Sequence, residues 1–345
     1  MKAAVLAGLR RMEVRDVPHP RIEKDSDVLL KIEKVGVCGS DVHYFETGRI
    51  GSQVVQFPFI VGHECAATVA AVGSDVTRVK VGEQVVVEPA VSCHDCDQCR
   101  RGRENTCFNL RFLGTPGQGN GCLSEFLVMP EECCFPIDGK ISLEQGALCE
   151  PLAIAVYAVQ QSRLPKAADV AILGAGPIGL SCMISARAEG VRSCFMTEKI
   201  EERVRVARQG GATWVGSPLK EDVATAILKQ RPLGMDVVYE CAGQQETIDQ
   251  GIDLLRAGGK LMLVGIPRED RISFAIDKIR RKEVTIINIR RQNGCTGAAI
   301  GLVASGRVKP DFMVTHRFKL GQVQEAFELV ASYKDGVVKA MIEMA

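Results

Sequence analysis

Two textures run along the chain, and together they predict an α/β protein in which a mostly β segment precedes a doubly wound α/β segment. First, short Val-rich runs such as "DVLLKIEKVGVC", "ATVAAVG" and "EQVVVEPAV" alternate with Gly and Pro turns over the first 145 or so residues, as β-strands do. Second, the runs after Asp169 ("VAILGAGPIG", "SCFMTEK", "MDVVYECAG", "GKLMLVGIP", "EVTIINI") are largely continuous in apolar residues rather than alternating. That is the pattern of parallel strands covered on both faces. Third, "GALCEPLAIAVYAVQQS" lies between the textures and has the length and apolar spacing of a bridging helix.

Taken in order, "MKAAVLAGLRRMEV" opens the chain with an apolar run cut off by two arginines, too short for an export signal, and reads as a first strand. The first domain is expected over 1–150 and the second over 151–289, with 290–345 returning to complete the first. In the second, helices are expected up to Glu189 and from Glu201 to Gln209, with "WVGS" as a further strand. No apolar run reaches the ~18 residues of a spanning helix. With 345 residues, 46% hydrophobic composition and a net charge of +1, the chain has ample core and no general footprint for nucleic acid or an anionic membrane. Its 14 cysteines do not suggest a disulfide scaffold, because a chain this apolar folds without staples. A cytoplasmic protein with reduced thiols is expected, and clustered cysteines then read as metal ligands.

"LGAGPIG" places Gly174, Gly176 and Gly179 in G-x-G-x-x-G spacing between a strand and a helix. The first glycine permits the tight turn, the second lets backbone approach a pyrophosphate, and the third lets the helix pack on the strand. Glu198 ends the next strand, where a carboxylate accepts ribose hydroxyls and repels a 2′-phosphate. This favours NAD over NADP, while Lys199 and Arg203 nearby would tolerate a phosphate. The bland readings are a glycine-rich turn without ligand and a solvated acid.

Cys93, Cys96, Cys99 and Cys107 fall in C-x2-C-x2-C-x7-C, a set that saturates a tetrahedral zinc and leaves no position for substrate. Such a site fastens a loop. An open site needs about three protein ligands and an exchangeable position. Cys38, His63 and Glu64 supply a thiol, an imidazole and a carboxylate, with Glu150 as a fourth or outer carboxylate. On spacing alone, a His beside a Glu is more often an ordinary polar pair. Cys149, next to Glu150, either competes for the metal or points into the core.

"GVCGSDVHYFETGRIG", "VGHE", the four-cysteine lobe, "EPLAIA" and "GAGPIG" occur in the order seen in zinc-dependent medium-chain dehydrogenases, and the chain resembles their sorbitol (L-iditol) and polyol dehydrogenases. The resemblance implies a GroES-like, mostly β catalytic domain, completed by the C-terminal segment, beside a Rossmann domain. It implies two zinc ions per chain and NAD, with hydride passing from a secondary alcohol of a polyol to NAD to give a ketose. It further implies that Cys38, His63 and Glu64 bind the catalytic zinc, with water or Glu150. Ser40 would hydrogen-bond the reacting hydroxyl, and Tyr44 and Arg290 would line the polyol pocket. Pro177, Ile178, Glu198, Arg203, Val264, Ile266, Ile289 and Arg290 would contact NAD, and the assembly would be a homotetramer. Tyr44, His43 or water would continue the proton path from Ser40, His43 having an outer-shell or surface role as its alternative.

Two departures bear on substrate. The animal sorbitol enzymes lack the four-cysteine set, so the likeness is better to microbial polyol enzymes. Arg291 stands where the sorbitol type carries an aromatic hydroxyl, and a second guanidinium suits a polyol phosphate or sugar acid unless it turns to solvent. The rival readings are thus a dehydrogenase of a polyol phosphate, sugar acid or amino alcohol, and a non-catalytic protein binding zinc and dinucleotide. The basic "CRRGR" is too small a patch beside Asp95, Asp97 and Glu104 to indicate nucleic acid.

Overall fold

The structure, a computed structural model, describes residues 1–267, 269 and 271–344. Met1–Glu150, Thr296–Ala304 and Val314–Ala345 form one compact unit, and Pro151–Cys295 with Ser305–Met313 form the other. The chain therefore re-enters the first unit at Thr296 rather than at 290, leaves at Ser305 and returns at Val314. No helix among the described residues is long and apolar enough to cross a membrane.

The N-terminal run forms β1 (Lys2–Gly8), paired antiparallel with β2 (Arg11–Asp16). In β3 (Asp27–Gly36), Val28, Leu30 and Ile32 are fully buried while Lys31 points out, the period-two pattern that makes this segment a strand. Cys38 then caps α1 (Gly39–Thr47). Asp41, at the third helical position, accepts the Cys38 N–H at 3.2 Å and fixes how the chain enters the helix. β4 (Glu64–Val72), β5 (Gln84–Val87), β6 (Phe126–Pro130) and β7 (Cys134–Pro136) follow. The bridging helix α2 (Leu143–Ser162) starts three residues earlier than the Gly146 expected. Pro151 lies inside it, at the boundary of the units; having no N–H, it leaves the Ala147 carbonyl without its helical partner.

The second unit is a parallel sheet of β8 (Asp169–Leu173), β9 (Ser193–Thr197), β10 (Trp214–Gly216), β11 (Met235–Glu240), β12 (Leu255–Leu263) and β13 (Thr285–Asn288). The order β10-β9-β8-β11-β12-β13 is that of a doubly wound fold whose direction reverses between β8 and β11. β8 and β9 are buried at every residue, which explains their continuous apolar runs. Helix α3 (Pro177–Ala188) follows β8 and starts with proline at its first position, where the missing N–H costs nothing; α4 covers Glu201–Gln209 as expected.

Back in the first unit, β14 (Val314–Lys319) and β15 (Lys339–Glu343) complete a seven-stranded sheet of order β7-β5-β4-β3-β15-β14, with β6 also on β3. Its register sets Gly36 between Glu64 of β4 and Met341 of β15. The expected fold class, a mostly β unit with a doubly wound parallel sheet, is what the chain adopts.

The turn after β8 depends on its glycines. Gly174 takes φ 103°, and a Cβ on Gly179 would lie 1.9 Å from the Gly174 carbonyl oxygen. Gly179→Ala is therefore expected to cost about 1–3 kcal/mol through forced overpacking, read as a lower denaturant midpoint; an unchanged midpoint would contradict this close approach of helix and strand.

Candidate active site and metal centres

The four-cysteine loop draws its sulfurs together from a short stretch. Cys93 and Cys107 are 3.4 Å apart, Cys96 and Cys99 3.5 Å, Cys96 and Cys107 3.9 Å, and Cys93 and Cys99 4.0 Å. Zinc–sulfur bonds of about 2.3 Å in a tetrahedron set the sulfur edges at about 3.8 Å, so these spacings fit zinc. The backbone N–H groups of Asp95 and Cys96 help bring the Cys93 thiol down to about 6, favouring the thiolate a metal requires.

A second group has a different composition. Ligand atoms of Cys38, His63 and Glu64 all lie within 4.8 Å of one another. They meet because Cys38 follows the end of β3, while Glu64 begins the adjacent β4 and His63 immediately precedes it. Asp41 accepts the Gly62 N–H at 3.1 Å and lies 3.4 Å from His63 Nδ1. A carboxylate on Nδ1 fixes the ring and leaves Nε2 to offer its lone pair. Burial opposes a charge on His63, yet Asp41 and Cys38 raise its pKa well above the usual value. Phe112 packs on the imidazole at 5.3 Å between ring centroids.

Glu150 is 6% exposed. Burial pushes its carboxyl up to about 8; Glu64 and Glu88 add to this, while His63 and Lys339 oppose it. The thiol, imidazole and carboxylate of Cys38, His63 and Glu64 are a donor set suited to an open zinc site, while Glu150, expected as a fourth or outer carboxylate, is near enough to interact with His63 and Glu64 but falls outside that close group. Cys149 does not join it: its thiol is fully buried and donates to the Gln145 carbonyl at 3.3 Å.

Ser40 donates its hydroxyl to Cys38 Sγ at 3.3 Å, which places it at the group's edge. Tyr44 is buried, and its hydroxyl donates to Gln53 Oε1 at 3.0 Å; His43 is half-buried on the same helix α1. Two residues of this centre were not singled out in the sequence. Asp41 is one; cysteine is not a usual helix cap, so its place three residues after Cys38 gave little sequence signal. The other is Lys339 of β15, which donates to both Glu64 oxygens at 2.7 and 2.6 Å and to the Val37 carbonyl at 3.1 Å.

In the second unit, Gly174 and the Cys241–Ala242 segment follow β8 and β11 at the strand-order reversal, and a Cβ on Gly174 would lie 3.3 Å from the Ala242 nitrogen. Open α/β sheets bind ligands at such a point. A Cβ on Gly176 would meet only an Arg203 guanidinium nitrogen, at 3.8 Å, so backbone and positive charge lie together at the start of α3. Glu198 Oε2 accepts the Ala175 N–H at 2.9 Å, and Oε1 accepts those of Lys199 and Ile200 at 2.7 and 3.0 Å. The carboxylate is thereby clamped against the glycine turn. Lys199 donates to Gln244 at 3.2 Å. Pro177, Ile178 and Ile289 are half-buried and Val264 is buried, whereas Ile266 and Arg290 are exposed. Arg290 belongs to the second unit, while Cys38, His63, Glu64 and Glu150 belong to the first. Arg291 is half-buried with φ 53°.

The alcohol dehydrogenase GroES-like domain model matches residues 24–139, and the zinc-binding dehydrogenase model matches residues 177–305. The sorbitol dehydrogenase of Bacillus subtilis (strain 168) is 36% identical over 343 residues, covering 99% of this chain and 97% of that protein. A probable D-xylulose reductase A of Neosartorya fischeri is 37% identical over 336 residues, covering 96% and 93%. Among solved structures, an Escherichia coli oxidoreductase/dehydrogenase of unknown specificity has a TM-score of 0.94 at 34% identity, over 100% of this chain and 99% of that one. Likeness this extensive, running from the first strand to the last, makes the assignment plain: the chain belongs to the zinc-binding, GroES-like alcohol dehydrogenase family.

Proposed function

We propose that the protein is a zinc-dependent, NAD-linked dehydrogenase that oxidises a secondary alcohol of a sorbitol-like polyol to a ketose. The observation that carries this reading is the convergence of Cys38, His63 and Glu64 within 4.8 Å, with the buried Glu150 near His63 and Glu64. Zinc bound there supplies Lewis-acid polarisation of a hydroxyl, and NAD accepts the hydride. Ser40 takes up and hands on the hydroxyl proton, and Tyr44 and His43 serve the pocket and the proton path. The first unit is the catalytic domain, and its four-cysteine loop is a structural zinc site. The second unit is the NAD domain: Arg203 answers the pyrophosphate charge, Glu198 the ribose hydroxyls, and Pro177, Ile178, Val264, Ile266 and Ile289 the rest of the dinucleotide. Family likeness also supports a cytoplasmic homotetramer. A second reading, a polyol phosphate or sugar acid as substrate, is favoured by the adjacent guanidinium groups of Arg290 and Arg291.

A panel of polyols, polyol phosphates and sugar acids, followed by NADH appearance, separates these. Neutral polyols are expected to give the highest kcat/KM, and preference for an anionic substrate would install the second reading. Cys38→Ser should lower turnover by more than about 100-fold, the upper end for loss of a mere outer-shell partner, with zinc content falling from two per chain to one; full activity would reject the ligand assignment. Cys99→Ser should lower the melting temperature by several degrees while the folded fraction keeps its kcat. A normal melting temperature with lost chemistry would reverse the roles of the two metal sites. Glu198→Ala should weaken NAD about tenfold or more, as loss of charge-assisted hydrogen bonds does, and NADP less; equal loss of both in direct binding would remove the proposed discrimination.

A further inference from the structure

Lys339 is the least expected charge in the molecule. Its side chain is 1% exposed and that of Glu64 2%, and the three Nζ protons go to the two Glu64 oxygens and to the carbonyl of Val37, the residue before Cys38. One ammonium thus ties the segment carrying Cys38 to the carboxylate beside His63. Gly36 makes room for it: a Cβ there would lie 2.2 Å from Glu64 Oε2. Each carboxylate oxygen has two acceptor positions, so engagement by Lys339 leaves one on each toward the Cys38 group.

The charges of this buried centre explain why a lysine belongs there. A Cys38 thiolate, Glu64 and Asp41 concentrate negative charge in a buried place, and a divalent ion and the Lys339 ammonium both offset it. We infer that Lys339 is a positioning residue that shares Glu64 with the metal, holding the carboxylate at the edge of the site and weakening its grip on the ion. The inference rests on the proposed zinc site at Cys38, His63 and Glu64. A cation so close to a metal ligand repels the metal and drains electron density from the shared carboxylate, leaving the ion a stronger Lewis acid. A merely structural lysine would predict the opposite result on removal: a loosened pocket and weaker metal binding.

The test is chelator competition for zinc on the full-length protein, with the visible spectrum of the cobalt-substituted form as a second readout. Lys339→Met is expected to tighten zinc at the open site by about tenfold, the size typical of outer-shell changes, and to shift the cobalt bands. Lys339→Arg, which keeps the charge, should restore wild-type behaviour. Equal or weaker binding in a folded Lys339→Met protein overturns the inference. Where that variant fails to fold, Lys339→Gln, which keeps a donor to Glu64 without the positive charge, takes its place; tighter binding supports the inference, and equal or weaker binding overturns it. Wild-type protein holding only one zinc would overturn both this inference and the zinc reading beneath it, whereas two zincs with no tightening sinks the inference alone.

Discussion

Bringing a thiol, an imidazole and two carboxylates out of water into one place is costly unless each charge meets a partner. The first unit is arranged around that constraint. β3 lies between β4 and β15, so the strand leading to Cys38 has Glu64 on one side and the strand of Lys339 on the other. Asp41 then serves two purposes: it caps the helix after Cys38 and braces the imidazole from the next strand. The register of three strands, set by their apolar faces, fixes a constellation that no single segment could hold.

The second unit meets a different demand. Its ligand is an anion approached mainly by backbone, so its residues are chosen for what they leave out. Gly179 lets the helix close on the strand, while the position of Gly176 stays open except for a guanidinium. Glu198, proposed to meet the ribose hydroxyls, is a clasp for three backbone N–H groups. The same carboxylate therefore holds the turn in shape.

Where ligands are neighbours in sequence, their chemistry was legible. The C-x2-C-x2-C-x7-C spacing foretold a cluster, the glycine pattern foretold the tight turn after β8, and the continuous apolar runs foretold a parallel sheet, whereas the clasp of Glu198 on that turn was not foreseen. Lys339 was not legible, because a lysine in a strand ordinarily reads as solvent-facing, and Glu64 lies 275 residues away. The re-entry point of the chain was misplaced for a related reason. "TGAAIGLVA" is apolar almost throughout, and with no polar face its periodicity cannot say which unit it covers. Tyr44 of α1 likewise found its hydroxyl partner, Gln53, on a short hairpin that pairs Arg49–Ile50 with Gln53–Val54 and that the sequence does not mark.

The two metal centres differ in how much of the chain must be in place before either exists. The cysteine loop closes over 14 residues between Cys93 and Cys107, a short closure that a nascent or partly folded chain reaches cheaply. The open centre instead draws on two different strands, with Cys38 after β3 and Glu64 at the start of β4, and exists only once these have paired. A growing chain would thus take up its first ion early, as a nucleus for the lobe, and its second only once the sheet of the first unit has formed. Metal supply during biogenesis would then decide separately whether the molecule folds and whether it is fit to act.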